Sequence, residues 1–144
     1  MLSIQPDAND AEILARTLYG EARGELYGGK VAVANVILHR VTTDIYGDNK
    51  PDWWGEGIIG VCQKPGQFSC WNPNDPNRDK IMAVGPSDPV FAECIVIAEK
   101  AVMGLLPDLV FGSTHYHTVS VAPVWSRGHR PVIRIGAHLF YTTV

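Results

Sequence analysis

The sequence predicts an α+β fold: a mainly helical domain with a small β and loop part at its C-terminal end. Three observations carry this. Apolar residues recur at helical spacing twice within the first 41 residues. A third apolar run, near residue 90, has a capping residue at each end. After Gly104 the helical period gives way to short β-like runs separated by loops. The 144 residues suit one domain, 1–144, long enough to bury roughly 68–70% of its unfolded surface without a disulfide or metal staple.

The elements follow in order. Asp7, Asn9 and Asp10 offer helix N-caps, and Ile13, Leu14, Thr17 and Leu18 form a helical stripe. The first helix is expected from about residue 10 to the low twenties, ended by Gly20, Gly24 and a turn at Gly28-Gly29. A second is expected over Lys30 to Val41, with Val31, Val33, Val36, Ile37 and Leu38 distributed around it and therefore buried on most sides. Residues 42–80 read as irregular, with Trp53, Trp54 and Trp71 among many Asn, Asp, Pro and Gly. The third helix has Asp88 as cap, Pro89 at its first position and Gly104 just past its end. Val110-Phe111, Thr118 to Val121 and Val132 to Ile135 are candidate strands.

Composition excludes several classes. No apolar run approaches the ~20 residues of a membrane helix. The start, Met1 to Asp7, lacks the basic and apolar regions of a secretory signal, so synthesis in the cytoplasm is the expectation. The net charge is −3, whereas a nucleic-acid module is usually basic. The charge is uneven: Asp108 is the last acid, and Arg127, Arg130, Arg134 and four of the five histidines follow it. Cys62, Cys70 and Cys94 are an odd set without a Cys-x-x-Cys pair, which suits a reducing compartment. Cys94 reads as a core thiol. Cys62 and Cys70 flank a loop and could bridge, although nothing in the sequence demands it.

Glu21 is the first candidate for chemistry. Leu14, Thr17 and Leu18 precede it by seven, four and three residues, so a carboxylate stands on the apolar helical face. Half-burial raises a carboxyl pKa, as a general acid requires. A surface ion pair with Arg23 or Lys30 is the plainer alternative. Glu25, one turn on, would pair with it as glycosidase acids do, or would cap the turn. Gln67 and Ser69 flank Phe68, which would anchor their loop and aim both at a cleft where amide and hydroxyl groups suit sugars. In a strand, His115 and His117 point to one side and Tyr116 to the other. The two histidines could line a cleft, or bind zinc with His129 or His138. Trp125 and Tyr141 could stack on sugar faces or close the core.

Four blocks, in order, resemble the cell-wall hydrolase family of the spore-cortex-lytic enzymes, whose catalytic domains also occur in phage lysins. Leu14 to Glu25, containing Tyr19-Gly20-Glu21-Ala22-Arg23-Gly24-Glu25, resembles the signature helix end. Val31 to Val41 resembles the buried second helix, with His39 where Asn is more usual. Pro65-Gly66-Gln67-Phe68-Ser69 resembles the family's loop. Pro107-Asp108, Gly112 to His117, Pro123-Val124-Trp125 and Ile135 to Tyr141 resemble its C-terminal half. One departure is Thr42 to Gly60, with Trp53-Trp54, which is longer than usual.

The resemblance implies a lysozyme-like, lytic-transglycosylase-like domain that cleaves peptidoglycan between N-acetylmuramic acid and N-acetylglucosamine. Glu21 would be its general acid, and a 1,6-anhydro sugar its product. Glu25, Gln67, Ser69, His115, Tyr116, His117, Trp125 and Tyr141 would contact the glycan. No metal or cofactor is implied, and a monomer is expected. A phage or prophage lysin released by a holin is the implied setting. A hydrolytic muramidase, a zinc-dependent N-acetylmuramoyl-L-alanine amidase and a non-catalytic wall-binding module are the alternatives.

Overall fold

The computed structural model describes residues 7–142 and residue 144. Its helices are α1 (Asp10–Ala22), α2 (Tyr27–Thr42), α3 (Gly57–Gln63), α4 (Pro76–Ala83) and α5 (Pro89–Val102). Its strands are β1 (His115–Thr118), β2 (Ile133–Ile135) and β3 (His138–Tyr141). The expected helical α+β architecture is what forms.

Helix α1 packs along α5, α2 closes over both, and α3 packs on α1 and α2. Leu14, Leu18, Val31, Val33, Ile37, Ile58, Val61, Phe91 and Ile97 form the main core. Ala32 and Val36, on another side of α2, pack with Val110 and Phe140. Helix α2 therefore lies between the helical layer and the sheet, which explains its distributed valines. The sheet is antiparallel in the order β1-β3-β2, with Tyr116 and Ile133 both opposite Phe140.

The capping reading of α5 holds: the Asp88 carboxylate accepts from the backbone N–H of Val90 and Phe91. At α1 the caps differ from expectation. Asn9 makes no side-chain cap bond. Instead Asp7 accepts from the Asn9 N–H and Asp10 from the Asp7 N–H.

Several expectations need correction. Gly28-Gly29 is not a turn; α2 begins at Tyr27 and contains both. Gly29 is needed inside the helix, because a Cβ there would lie 2.7 Å from Cβ of Glu25. Residues 42–80 are not irregular throughout, since α3 lies within them and α4 begins there. Arg16 binds the end of α4 to α1 by donating to the carbonyls of Ile81 and Val84. Val110-Phe111 is a turn rather than a strand, with Phe111 at φ +53°. The run from Thr118 to Val121 contributes only Thr118 to β1, while β3 was not anticipated. Cys62, Cys70 and Cys94 are free and buried, so the optional Cys62–Cys70 bridge is absent and Cys94 is a core thiol.

Candidate active site

A cleft of about 330 Å³ opens between the helix ends and the sheet. Glu21 enters from the last turn of α1, Arg40 from the end of α2, Gln67 and Phe68 from the loop after α3, and His115, Tyr116, His117 and Thr118 from β1. Val121 and Trp125 complete the lining. Glu21 is the one carboxylate among these residues.

The Glu21 Oε1 atom accepts a 2.6 Å hydrogen bond from the phenol of Tyr116. Burial pushes its carboxyl above the usual carboxylate range, opposed by the bond from Tyr116 and by the Cys70 thiol. The same burial, with Glu21 beside it, pushes the Tyr116 phenol up, so Tyr116 stays a neutral donor. Arg23 and Lys30 bind elsewhere: Arg23 to Asn77, Lys30 to Glu93. The surface ion pair considered for Glu21 does not form.

Alternation along β1 is as expected. Tyr116 turns toward Glu21, whereas His115 and His117 both face Trp125, at 5.2 and 5.5 Å between ring centroids. Burial, with help from Arg40 and His129, holds His115 down to about 4, so the ring is neutral at ordinary pH. Both nitrogens of His117 are occupied: Nδ1 bonds the Thr118 carbonyl and Nε2 the Tyr141 hydroxyl. Among the described residues no three His, Cys, Asp or Glu side chains gather as a metal-binding group.

Phe68 is buried and anchors its loop. Gln67 donates from Nε2 to the carbonyls of Trp54 and Val61, which leaves its buried Oε1 without a partner. Ser69 is not brought to the cleft, because the chain enters a 3₁₀ turn there that leaves its side chain exposed. Tyr141 is buried behind His117, stacked on it at 5.3 Å, and supports the wall rather than lining it.

Glu25 is also outside the lining. Its Oε1 accepts from the Ala137 N–H, in the turn between β2 and β3. The same oxygen stands 3.7 Å from Nδ1 of His138, too far for a hydrogen bond. Burial lowers the pKa of His138 despite the opposing charge of Glu25, so this contact is not an ion pair at neutral pH.

Sequence reasoning missed Arg40. Its Nε donates to the Thr114 carbonyl, and its guanidinium lies over the rings of Trp54 and Phe68. Burial lowers its pKa to about 10, which still leaves it charged. An arginine at the end of an otherwise apolar helix was the available signal. A larger hollow of about 400 Å³, lined by Glu12, Arg16, Trp71 and Arg78 among others, offers less chemistry. Its acid, Glu12, is exposed and paired with Arg16.

A desolvated acid held by a phenol, in a cleft with aromatic walls, has the parts of an enzyme site that works by general acid catalysis. The cell wall hydrolase family matches residues 24–141, and the chain belongs to that family. It is 33% identical over 137 residues to a spore cortex-lytic enzyme of Halalkalibacterium halodurans, and 31% over 133 residues to that of Bacillus subtilis. Each match covers 92% of this chain but only 34% and 37% of those relatives, so the chain spans little over a third of their length. Among solved structures it resembles the catalytic domain of the Bacillus cereus SleB protein, at TM-score 0.70 and 26% identity over 97% of this chain and 94% of that one. It also resembles the catalytic domain of the germination-specific lytic transglycosylase SleB from Bacillus anthracis, at TM-score 0.68 and 28% identity over 94% and 96%.

Proposed function

We propose that this chain cleaves the glycan strand of peptidoglycan as a lytic transglycosylase, with Glu21 as its general acid. The observation that carries the reading is Glu21 itself: burial raises its pKa, Tyr116 fixes its orientation, and among the described residues it is the one carboxylate in the cleft lining, while Asp75, whose charge also raises it, is engaged as the cap of α4. A hydrolase of the two-carboxylate kind needs a partner acid at about 5–5.5 Å or 6.5–9.5 Å. An internal nucleophile does not. Glu21 protonates the glycosidic oxygen as the bond to the anomeric carbon breaks. The muramyl 6-hydroxyl closes on that carbon, and its proton returns to Glu21. The attacking group is already part of the substrate, which gives it a high effective concentration. Two relatives whose names speak of cortex lysis and transglycosylation support the same reading.

Gln67 and Trp125 both line the cleft, and an amide and an indole ring suit an acetamido group and a sugar face. Arg40 supplies donors to carbonyl or carboxylate oxygens on the muramyl side groups. A silent binding module would gain nothing from a desolvated carboxyl group in its cleft.

The test joins a variant with product chemistry. Glu21→Gln keeps the size and the acceptor for Tyr116 but has no proton to give. Loss of about 10²–10⁴-fold in the clearing of wall suspensions is expected. Mass spectrometry of the parent's digest should show 1,6-anhydromuramyl ends. Reducing-end N-acetylmuramic acid would instead establish a muramidase. Free stem peptides with intact glycan would replace the glycosidic reading with the amidase.

A further inference from the structure

The loop between α2 and α3 carries three large apolar side chains in water: Ile45 at 60% exposure, Tyr46 at 76% and Trp53 at 63%. Clustered exposure of this kind marks a binding surface more often than isolated apolar residues do. The loop is nevertheless internally tied. The Asp44 carboxylate accepts from the N–H groups of Asp48 and Asn49. The buried Asp52 accepts from the Ile45 N–H. Lys64 donates to the Trp53 carbonyl, and its ammonium sits 4.9 Å from the centre of the Trp53 ring. Trp54 is buried, and its carbonyl accepts from Gln67, a residue of the cleft.

The rings continue from the loop into the cleft. Trp53 lies 6.2 Å from Trp54, Trp54 5.9 Å from His115, and His115 5.2 Å from Trp125. One end of this row is exposed; the other lines the cleft that holds Glu21. Resting on the reading of that cleft as glycan-cleaving, we propose that Trp53, braced by Lys64, is a distal subsite that holds the same glycan strand beyond the point of cleavage. The ring presents a flat apolar face suited to the C–H face of a pyranose. The Lys64 ammonium lies over one side of the ring, which leaves the sugar the other side and sets a cation near its hydroxyls or the carboxylates of muramyl side chains. Proximity to the cleft, through the buried Trp54 that carries Trp53 and bonds Gln67, favours a strand over a second protein as occupant. A rigid platform also limits the ordering cost of binding.

The subsite predicts a dependence on strand length. In a Glu21→Gln background, where strands are not consumed, calorimetry would compare long soluble glycan strands with a tetrasaccharide. Adding Trp53→Ala should weaken long-strand binding by roughly 5- to 30-fold, the range for a well-seated aromatic anchor, and weaken the tetrasaccharide less. Trp53→Phe should restore most of the loss. Circular dichroism checks that each variant is folded. Unchanged long-strand affinity in folded Trp53→Ala would overturn the subsite alone, as would an equal loss on both substrates. Self-association removed by Trp53→Ala without a change in strand affinity would assign the face to a second copy and also overturn it. A parent chain that neither binds nor cleaves glycan of any length would overturn the function and the subsite together.

Discussion

The Tyr116 hydroxyl, on β1, donates to Glu21 Oε1, at the end of α1, over 2.6 Å and across 95 positions of sequence. Two opposing effects meet in this contact. Burial favours the protonated carboxyl, whereas the phenol stabilises the carboxylate. The balance leaves Glu21 raised and held in one direction, as an acid catalyst at moderate pH must be.

Tyr116→Phe should therefore move the alkaline limb of activity. A hydrogen bond to a charged group contributes about 1.5–3 kcal/mol, and one pKa unit corresponds to about 1.4 kcal/mol. Without the phenol the carboxylate is less stable, so the Glu21 pKa rises further. The limb should shift upward, while the looser carboxyl lowers the maximum rate. A pH–rate profile of both proteins, on one wall substrate, reads this directly. An unmoved limb would separate Glu21 from the titration that controls rate.

Acid should destabilise the fold through its histidines. His115 is held near 4 by burial, and His138 is lowered for the same cause, whereas an unfolded histidine takes its proton near 6.5. The unfolded chain then binds more protons between those values, so stability falls as the pH drops from about 6.5 toward 4. Glu21 acts with the opposite sign. Its raised pKa adds stability at low pH that is lost as pH climbs through the folded value. The histidine slope should therefore be clearest in Glu21→Gln, and His115→Gln should flatten it. Urea midpoints from pH 4 to 7 measure both.

Helices α1 and α5 were legible because their signals are local: a repeated apolar face, an Asp88 cap, Pro89 and Gly104. The site's strand was legible for the same reason, since alternation alone separates Tyr116 from His115 and His117. What was not legible depends on distant partners. Gly28-Gly29 resembles a turn, and only the Glu25 side chain lying against Gly29 explains why glycine belongs in that helix. Of the short helices, α4 has the same Asp-Pro start as α5, with Asp75 accepting from the Asn77 N–H, but its eight residues carry little apolar period, and Arg16 ties it to α1 through the Ile81 carbonyl; α3 is held by packing on α1 and α2. Strand β3 is central and pairs on both sides, yet its four residues carry little periodic signal. Arg40 joined the cleft only once β1 and the Phe68 loop were folded beside it.

Glu25 resembles a second catalytic carboxylate in sequence, and its surroundings point to another role. Its Oε1 takes the Ala137 N–H, and the carboxylate fills the space over Gly136, where a Cβ would come within 3.0 Å of its Cδ. Gly136 has φ +56°, so the β2–β3 turn requires glycine on two counts. Glu25 thus fastens the α1–α2 junction to the hairpin that carries His138, and His138 lies 5.0 Å from the ring of Tyr116. Glu25→Gln keeps the acceptor and should cost under about 1 kcal/mol, because the bonded N–H is exposed and the charge contributes little there. Its rate should remain far above the ~10²–10⁴-fold loss that removal of a catalytic base produces. Glu25→Ala breaks the tie and should cost about 1 kcal/mol or somewhat more, with the fall in rate tracking the fall in stability. Denaturation midpoints and wall-clearing rates for the pair decide the matter. A folded, stable Glu25→Gln protein that loses activity to the extent of Glu21→Gln would return Glu25 to the chemistry and favour a two-carboxylate hydrolase.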